Sequence, residues 1–303
     1  MESEFIAWLR ERLPAHRRLG VGIGDDAALV RLAQGSEILV SVDALSEGVD
    51  FRLSDVAPQR IGRKALAVNL SDMAAMAARP LAAVVSVVLP REGGLQLAQQ
   101  LAEGMLPLAE KFDVAFAGGD TNTWDQGLVI SITIFGEPTG RGPLRRSGAR
   151  PGDIILVTGA FGGSILGRQF DFEPRVAEAM ALHERYELHA GIDVSDGLSL
   201  DLSRLARESG CGAVLFPDRI PIAPAASELS RRDGVSPVEH ALRDGEDFEL
   251  VLAVPPDAAR QMLAEQPLAV PLSAIGEFVA EPGLWQVDPQ GKRAPLAPRG
   301  FEH

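Results

Sequence analysis

Residues 38–43 read Ile38-Leu39-Val40-Ser41-Val42-Asp43, a short apolar run closed by an acid. A few residues rich in Val and Ile, bounded by turn signals, mark a strand of a packed sheet. The same order, apolar element then aspartate, returns in Ala67-Val68-Asn69-Leu70-Ser71-Asp72 and in Ile192-Asp193-Val194-Ser195-Asp196-Gly197. Asp25 and Asp26 follow Gly22-Ile23-Gly24, and Asp120 follows Gly118-Gly119. Acids so placed are held at the mouths of packed elements. Carboxylates are hard oxygen donors, and their natural partner is Mg2+, which usually shares its coordination with substrate phosphates. The pattern points to a Mg2+–nucleotide enzyme.

Outward from that strand, residues 2–13 carry apolar side chains at helical spacing (Phe5, Ile6, Leu9, Leu13). Further strands are predicted near 82–89 and 128–135, with helices over 56–78 and 94–111. Composition then shifts to Pro138, Gly140, Gly142, Pro143, Gly148, Pro151 and Gly152, the best candidate for a boundary. Beyond it come strands at 154–158, 190–194, 213–216, 248–254 and 272–279, and helices near 174–186, 197–209 and 256–264. Mixed βα units and antiparallel-looking strands predict an α+β (mixed α/β) chain. The expected domains are 1–138 and 150–303, each an α/β unit.

Bulk properties remove several function classes. Of 303 residues, 46% are hydrophobic and 23% charged, which is globular rather than disordered. A net charge of −13 argues against a nucleic-acid surface. The apolar run Leu81–Leu89 is too short to span a bilayer, and no basic leader precedes an apolar core. A lone cysteine, Cys211, rules out an internal disulfide. A cytosolic protein is expected, with no membrane and no nucleic acid as partner.

Single motifs are weak. Asp-Gly pairs such as Asp196-Gly197 and Asp244-Gly245 are most often turns or caps. The loop Thr158-Gly159-Ala160-Phe161-Gly162-Gly163-Ser164 suits either a phosphate cradle at a helix start or, more commonly, a plain tight turn. Arg146 is either a phosphate contact or a solvated basic turn. What lifts the acids above such readings is their number, since like charges gathered without a cation cost stability.

Seven motifs in order carry a resemblance. They are Gly22–Asp26, Val42–Phe51, Lys64–Asp72, Gly118-Gly119-Asp120-Thr121, Arg146-Ser147-Gly148-Ala149, Ile192–Leu198 and Gly245–Leu250. The series resembles the thiamine-monophosphate kinases, of the aminoimidazole-ribonucleotide-synthetase-like ATP-binding superfamily, over nearly the whole chain. The resemblance implies a two-domain synthetase-like fold, with N-terminal sheets joining as a dimer barrel and a C-terminal α/β sandwich. It implies Mg2+ ligation by Asp26, Ser41, the backbone of Val42, Asp43, Asp72, Asp120, Asp193 and Asp196. Gly119, Asp120, Arg146 and Ser195 would meet ATP, and Asp50, Glu246 and Phe301 the substrate. Three departures stand out: Asp50 replaces a histidine usual in the family, Phe172–Arg175 replaces a longer basic run, with Arg175 keeping the charge, and Ala297-Pro298-Arg299 precede Gly300-Phe301 without a tryptophan.

The reaction so implied is ATP-dependent phosphorylation of thiamine monophosphate to thiamine diphosphate by a homodimer, with no side-chain nucleophile or base. Alternatives are a superfamily enzyme acting on another phosphate, amide or amidine acceptor, and a non-catalytic nucleotide-binding regulator.

Overall fold

A computed structural model describes residues 2–13 and 16–301; Glu302 and His303, which close the tail included in the second expected domain, lie outside the described residues. Helix α1 (Glu2–Arg12) precedes strands β1 (Leu19–Val21), β2 (Ala28–Arg31) and β3 (Glu37–Ser46). Then come α2 (Pro58–Ala75), β4 (Arg79–Pro90), α3 (Gly94–Lys111), β5 (Ala115–Trp124) and β6 (Val129–Glu137). These strands form one sheet in the order β1-β2-β3-β6-β4-β5. Only the β4–β5 pair is parallel, as the α3 crossover between them requires.

The second half runs β7 (Ile154–Thr158), α4 (Val176–Arg185), β8 (Ala190–Asp193), α5 (Leu198–Glu208) and β9 (Gly212–Leu215). It continues with α6 (Pro224–Asp233), α7 (Pro237–Arg243), β10 (Leu250–Val254), α8 (Pro256–Glu265), β11 (Leu272–Val279), β12 (Gly283–Val287) and β13 (Arg293–Pro295). Its sheet has the order β13-β12-β9-β11-β7-β10-β8. The chain is thus a mixed α/β protein with two sheets.

Alternation along β7 and β10 decides how that second sheet is covered. Ile155, Val157, Val251 and Ala253 face a core with α5 and α7, while Leu156, Leu250, Leu252 and Val254 face the other side. That other side shares one core with α2, α3 and the first sheet. Helix α2 therefore lies between the two sheets, packed on β3 and β6 and also on α4 and β8. This is why thirteen of its residues are buried, Lys64, Asn69 and Ser71 among them. Close approach of α3 demands glycine: a Cβ on Gly62 would meet the Leu101 carbonyl at 2.1 Å, and one on Gly104 the Gln59 carbonyl at 1.7 Å.

Several predicted elements differ in extent. Strand β3 runs past Asp43 to Ser46, because pairing with β6 continues to Ser46↔Val129. Helix α2 stops at Ala75 rather than 78, where Ala77 turns left-handed (φ 48). Strand β5 is unforeseen and puts Gly119 and Asp120 mid-strand on the sheet edge.

Candidate active site

The sheets and α2 enclose a cleft of about 1470 Å3. A pocket for one drug-sized ligand is roughly 300–1,000 Å3, and this cleft exceeds that range. Asp26, on the loop after β1, Asp72, on α2, and Asp193, at the end of β8, meet at its floor. One carboxylate oxygen from each lies within 4.8 Å of the others. Three separate elements, from both halves of the chain, are needed to build that contact.

The surroundings explain its charge. Arg146 grips Asp26 with two bonds, Nε to Oδ2 at 3.1 Å and Nη2 to Oδ1 at 2.6 Å. Its backbone N–H also donates to Asp25 at 3.1 Å. Asp72 and Asp193 have hydroxyl neighbours instead. Ser41 Oγ lies between the Asp26 carbonyl, at 3.0 Å, and the Asp72 carboxylate, and Ser71 donates to Asp193. Burial, then the charge of Asp43, pushes the Asp72 carboxyl well above the usual carboxylate range. Burial, then Asp26, does the same to Asp193, and lifts Asp25 to about 6. Such carboxyls release their protons when a cation arrives.

Asp43, Val42, Ser195 and Asp196 also line the cleft. Asp196 is paired with Arg204, and the N–H groups of Asp196 and Gly197 are capped by Asp201 at 2.9 and 3.0 Å. The Phe301 N–H donates to the Asp196 carbonyl at 2.9 Å, which brings the half-exposed ring to the same rim. Arg10 of α1 closes another side by donating to the Ile23 carbonyl at 2.8 Å and pairing with Glu208.

At the far end stand Asp50 and Glu246. The Asp50 carboxylate accepts the Ser46 N–H at 2.7 Å and so closes the turn after β3. Glu246 has a left-handed backbone (φ 52), as does Phe248 (φ 50). Their N–H groups are strapped to the carbonyls of Ser195 (2.7 Å) and Val194 (2.8 Å). Non-glycine residues held there cost about 1–3 kcal/mol each and persist only where the surroundings fix them.

Some predicted residues do not join the cleft. Gly119 and Asp120 sit on β5, three strands from Asp43 across the sheet, or roughly 14 Å at the usual strand spacing. Arg175 is bound to Glu249 by two bonds of 2.7 Å. The glycine-rich loop holds the chain's own acids: Gly162 N–H donates to Asp247 and Gly163 N–H to Asp244, each at 3.0 Å. It is a tight turn that braces the Asp244–Phe248 loop. Residues the motifs did not assign are Lys64, Gln169, Ser71 and Arg204; Lys64 and Ser71 lie within a quoted motif, but nothing in the sequence shows what they touch.

Family models described as AIR synthase related protein, N-terminal domain, and AIR synthase related protein, C-terminal domain, match residues 24–137 and 150–285. A thiamine-monophosphate kinase of Rhodopirellula baltica is 43% identical, covering 100% of this chain and 97% of its own. That of Escherichia coli K12 is 34% identical over 100% of this chain and 98% of its own. The solved structure of AaThiL complexed with AMPPCP and TMP superposes with a TM-score of 0.86 at 25% identity, over 100% of this chain and 96% of that one.

Proposed function

The chain belongs to the AIR synthase-related family, among the thiamine-monophosphate kinases, and from that membership and its cleft we propose that it transfers the γ-phosphoryl group of ATP to thiamine monophosphate. The products are ADP and thiamine diphosphate. The convergence of Asp26, Asp72 and Asp193 is the observation that carries the reading.

The bond that forms joins an acceptor phosphate oxygen to the γ-phosphorus, and the bond that breaks releases ADP. The acceptor oxygen is already anionic near neutral pH, its second pKa being about 6, so no base is needed. The obstacle is repulsion between two anions that must lie in line. Mg2+, when bound, neutralises phosphate charge and fixes its orientation. The donor set fits that ion: hard oxygens only, three of them close together, two of those carboxyls held by serine hydroxyls. Asp26, Ser41, the Val42 carbonyl, Asp43, Asp72, Asp193 and Asp196 would hold it. Arg146 offers a rigid two-pronged donor to the nucleotide phosphates, beside Ser195. Glu246 suits the cationic ring of the acceptor, with Asp50 nearby and Phe301 to stack on it.

Gly119 and Asp120 enter this scheme only through a second copy. The outer face of β3 leaves Val42 59% exposed and Ala44 bare, and nearly all of β5 is exposed. These features support a homodimer paired through the N-terminal sheets, with residues 1–138 as the pairing domain and 150–303 as the second. No helix among the described residues is long and apolar enough to cross a membrane, which is compatible with a cytosolic site.

Measuring ADP release with Mg2+ and ATP, with and without thiamine monophosphate, tests the reading. Stimulation by the acceptor is expected. ATP binding with no ADP release would instead favour a regulator.

A further inference from the structure

Lys64 is among the largest fully buried side chains of the protein, on the helix that also carries Asp72. An ammonium has three N–H donors and is rarely buried without partners. Here three acceptors surround it: the Asp50 carbonyl at 3.1 Å, Gln169 Oε1 at 3.2 Å and Glu246 Oε1. The Phe170 ring lies 5.0 Å from Nζ, adding a cation–π contact. Every donor is used and the side chain is wholly enclosed, so it has nothing left for a ligand. Glu246 differs: its side chain keeps 30% exposure, and it lines the cleft.

The three acceptors come from separate places: the turn after β3, the short helical turn Arg168–Phe170 and the loop before β10. One ammonium on α2 thus ties the first half of the chain to two segments of the second. Eight residues of α2 separate Lys64 from Asp72, roughly 12 Å along the axis. The carboxylate floor and the Lys64 contact therefore sit about two helical turns apart along α2.

We propose that Lys64 is a positioning residue for the acceptor: it neutralises and aims Glu246, and through the Asp50 carbonyl fixes the turn opposite. Burial raises the Glu246 carboxyl and Lys64 opposes that rise, which agrees with such a role. The proposal rests on the reading that the Glu246 end receives thiamine monophosphate. It adds that acceptor recognition depends on a cation the acceptor never touches.

Steady-state kinetics of the full-length protein, with acceptor and ATP varied separately, test it on Lys64→Met, Glu246→Gln and the double variant. Each single change is expected to raise KM for the acceptor about tenfold or more, with KM for ATP within about twofold. The double variant should be no worse than the poorer single one, because both remove the same interaction. Multiplied effects, or equal losses for the two substrates, overturn the proposal. Should Lys64→Met fail to fold, the double variant, which strands no charge, is compared with Glu246→Gln alone. Their acceptor KM values should then agree within about twofold, and a further rise of about tenfold overturns the proposal. Melting temperatures of the same proteins without substrates give a second cycle. Additive shifts in an active enzyme overturn the proposal alone. Coupled shifts in a wild type that releases no ADP with the acceptor remove the underlying reading, and the acceptor role of Lys64 with it.

Discussion

The two ends of α2 handle buried charge in opposite ways. Around Asp72, three carboxylates from Asp26, Asp72 and Asp193 gather; the Arg146 guanidinium is bonded to Asp26, while Asp72 and Asp193 accept from serine hydroxyls. Around Lys64, one carboxylate meets one ammonium whose donors are all filled. The first end is short of positive charge and is completed from solution; the second brings its own cation, enclosed behind a Glu246 side chain that stays open to the cleft. A buried ion pair is thus a fixed part of the frame, whereas a buried excess of one sign marks where a ligand enters.

The largest expected effect breaks the self-sufficient end. Lys64→Met leaves the Glu246 carboxylate uncompensated, and losing one partner of a buried pair costs about 3–5 kcal/mol. Denaturant unfolding should register that loss, and Glu246→Gln in the same chain should restore most of it. If Lys64→Met unfolds like wild type, the pair is not the anchor described here.

At the other end the sign reverses. Asp72→Asn or Asp43→Asn removes a like charge, so the metal-free protein should melt no lower than wild type. Turnover should nonetheless fall roughly a hundredfold or more, as with loss of a metal-orienting group. A variant that is both fully active and unchanged in its response to Mg2+ would contradict the assignment.

The pH response sharpens the contrast. Asp25, at about 6, and Asp72 and Asp193, further above their ordinary range, are raised mainly by burial. The folded state therefore holds more protons than the unfolded chain, and metal-free stability falls as pH rises from about 4 through these raised values. Mg2+ displaces the protons, so its apparent affinity should climb by up to about tenfold per pH unit for each proton released. Melting curves from about pH 5 to about pH 8, with Mg2+ or with chelator, check both signs. A metal-free protein that grows more stable over that range would count against the cluster.

The smallest effect lies at Asp50. Its carboxylate holds the Ser46 N–H at 2.7 Å, so Asp50→Ala should cost about 1 kcal/mol, the worth of one such bond. A shift of a few degrees in Tm would register it.

How much of this the sequence discloses depends on distance along the chain. Strands such as 272–279 and helix 94–111 follow from local periodicity, and the structure has them at those limits. Strand β5 escapes because Gly118 and Gly119 interrupt its apolar pattern, and α6 because it buries only Ala226. Each aspartate is visible, yet the meeting of residues 26, 72 and 193 is made by α2 lying between two sheets, which no local pattern encodes. Lys64 stands in plain view beside Asp72 in one motif. Its role emerges only when Gln169 and Glu246, more than a hundred residues away, close on it.

The most direct test is anomalous diffraction from crystals soaked in Mn2+, as a stand-in for Mg2+, with a non-hydrolysable ATP analogue. A metal peak is expected within bonding distance of carboxylate oxygens of Asp26, Asp72 and Asp193. Peaks found only elsewhere, with those three side chains still bound as they are without metal, would contradict it.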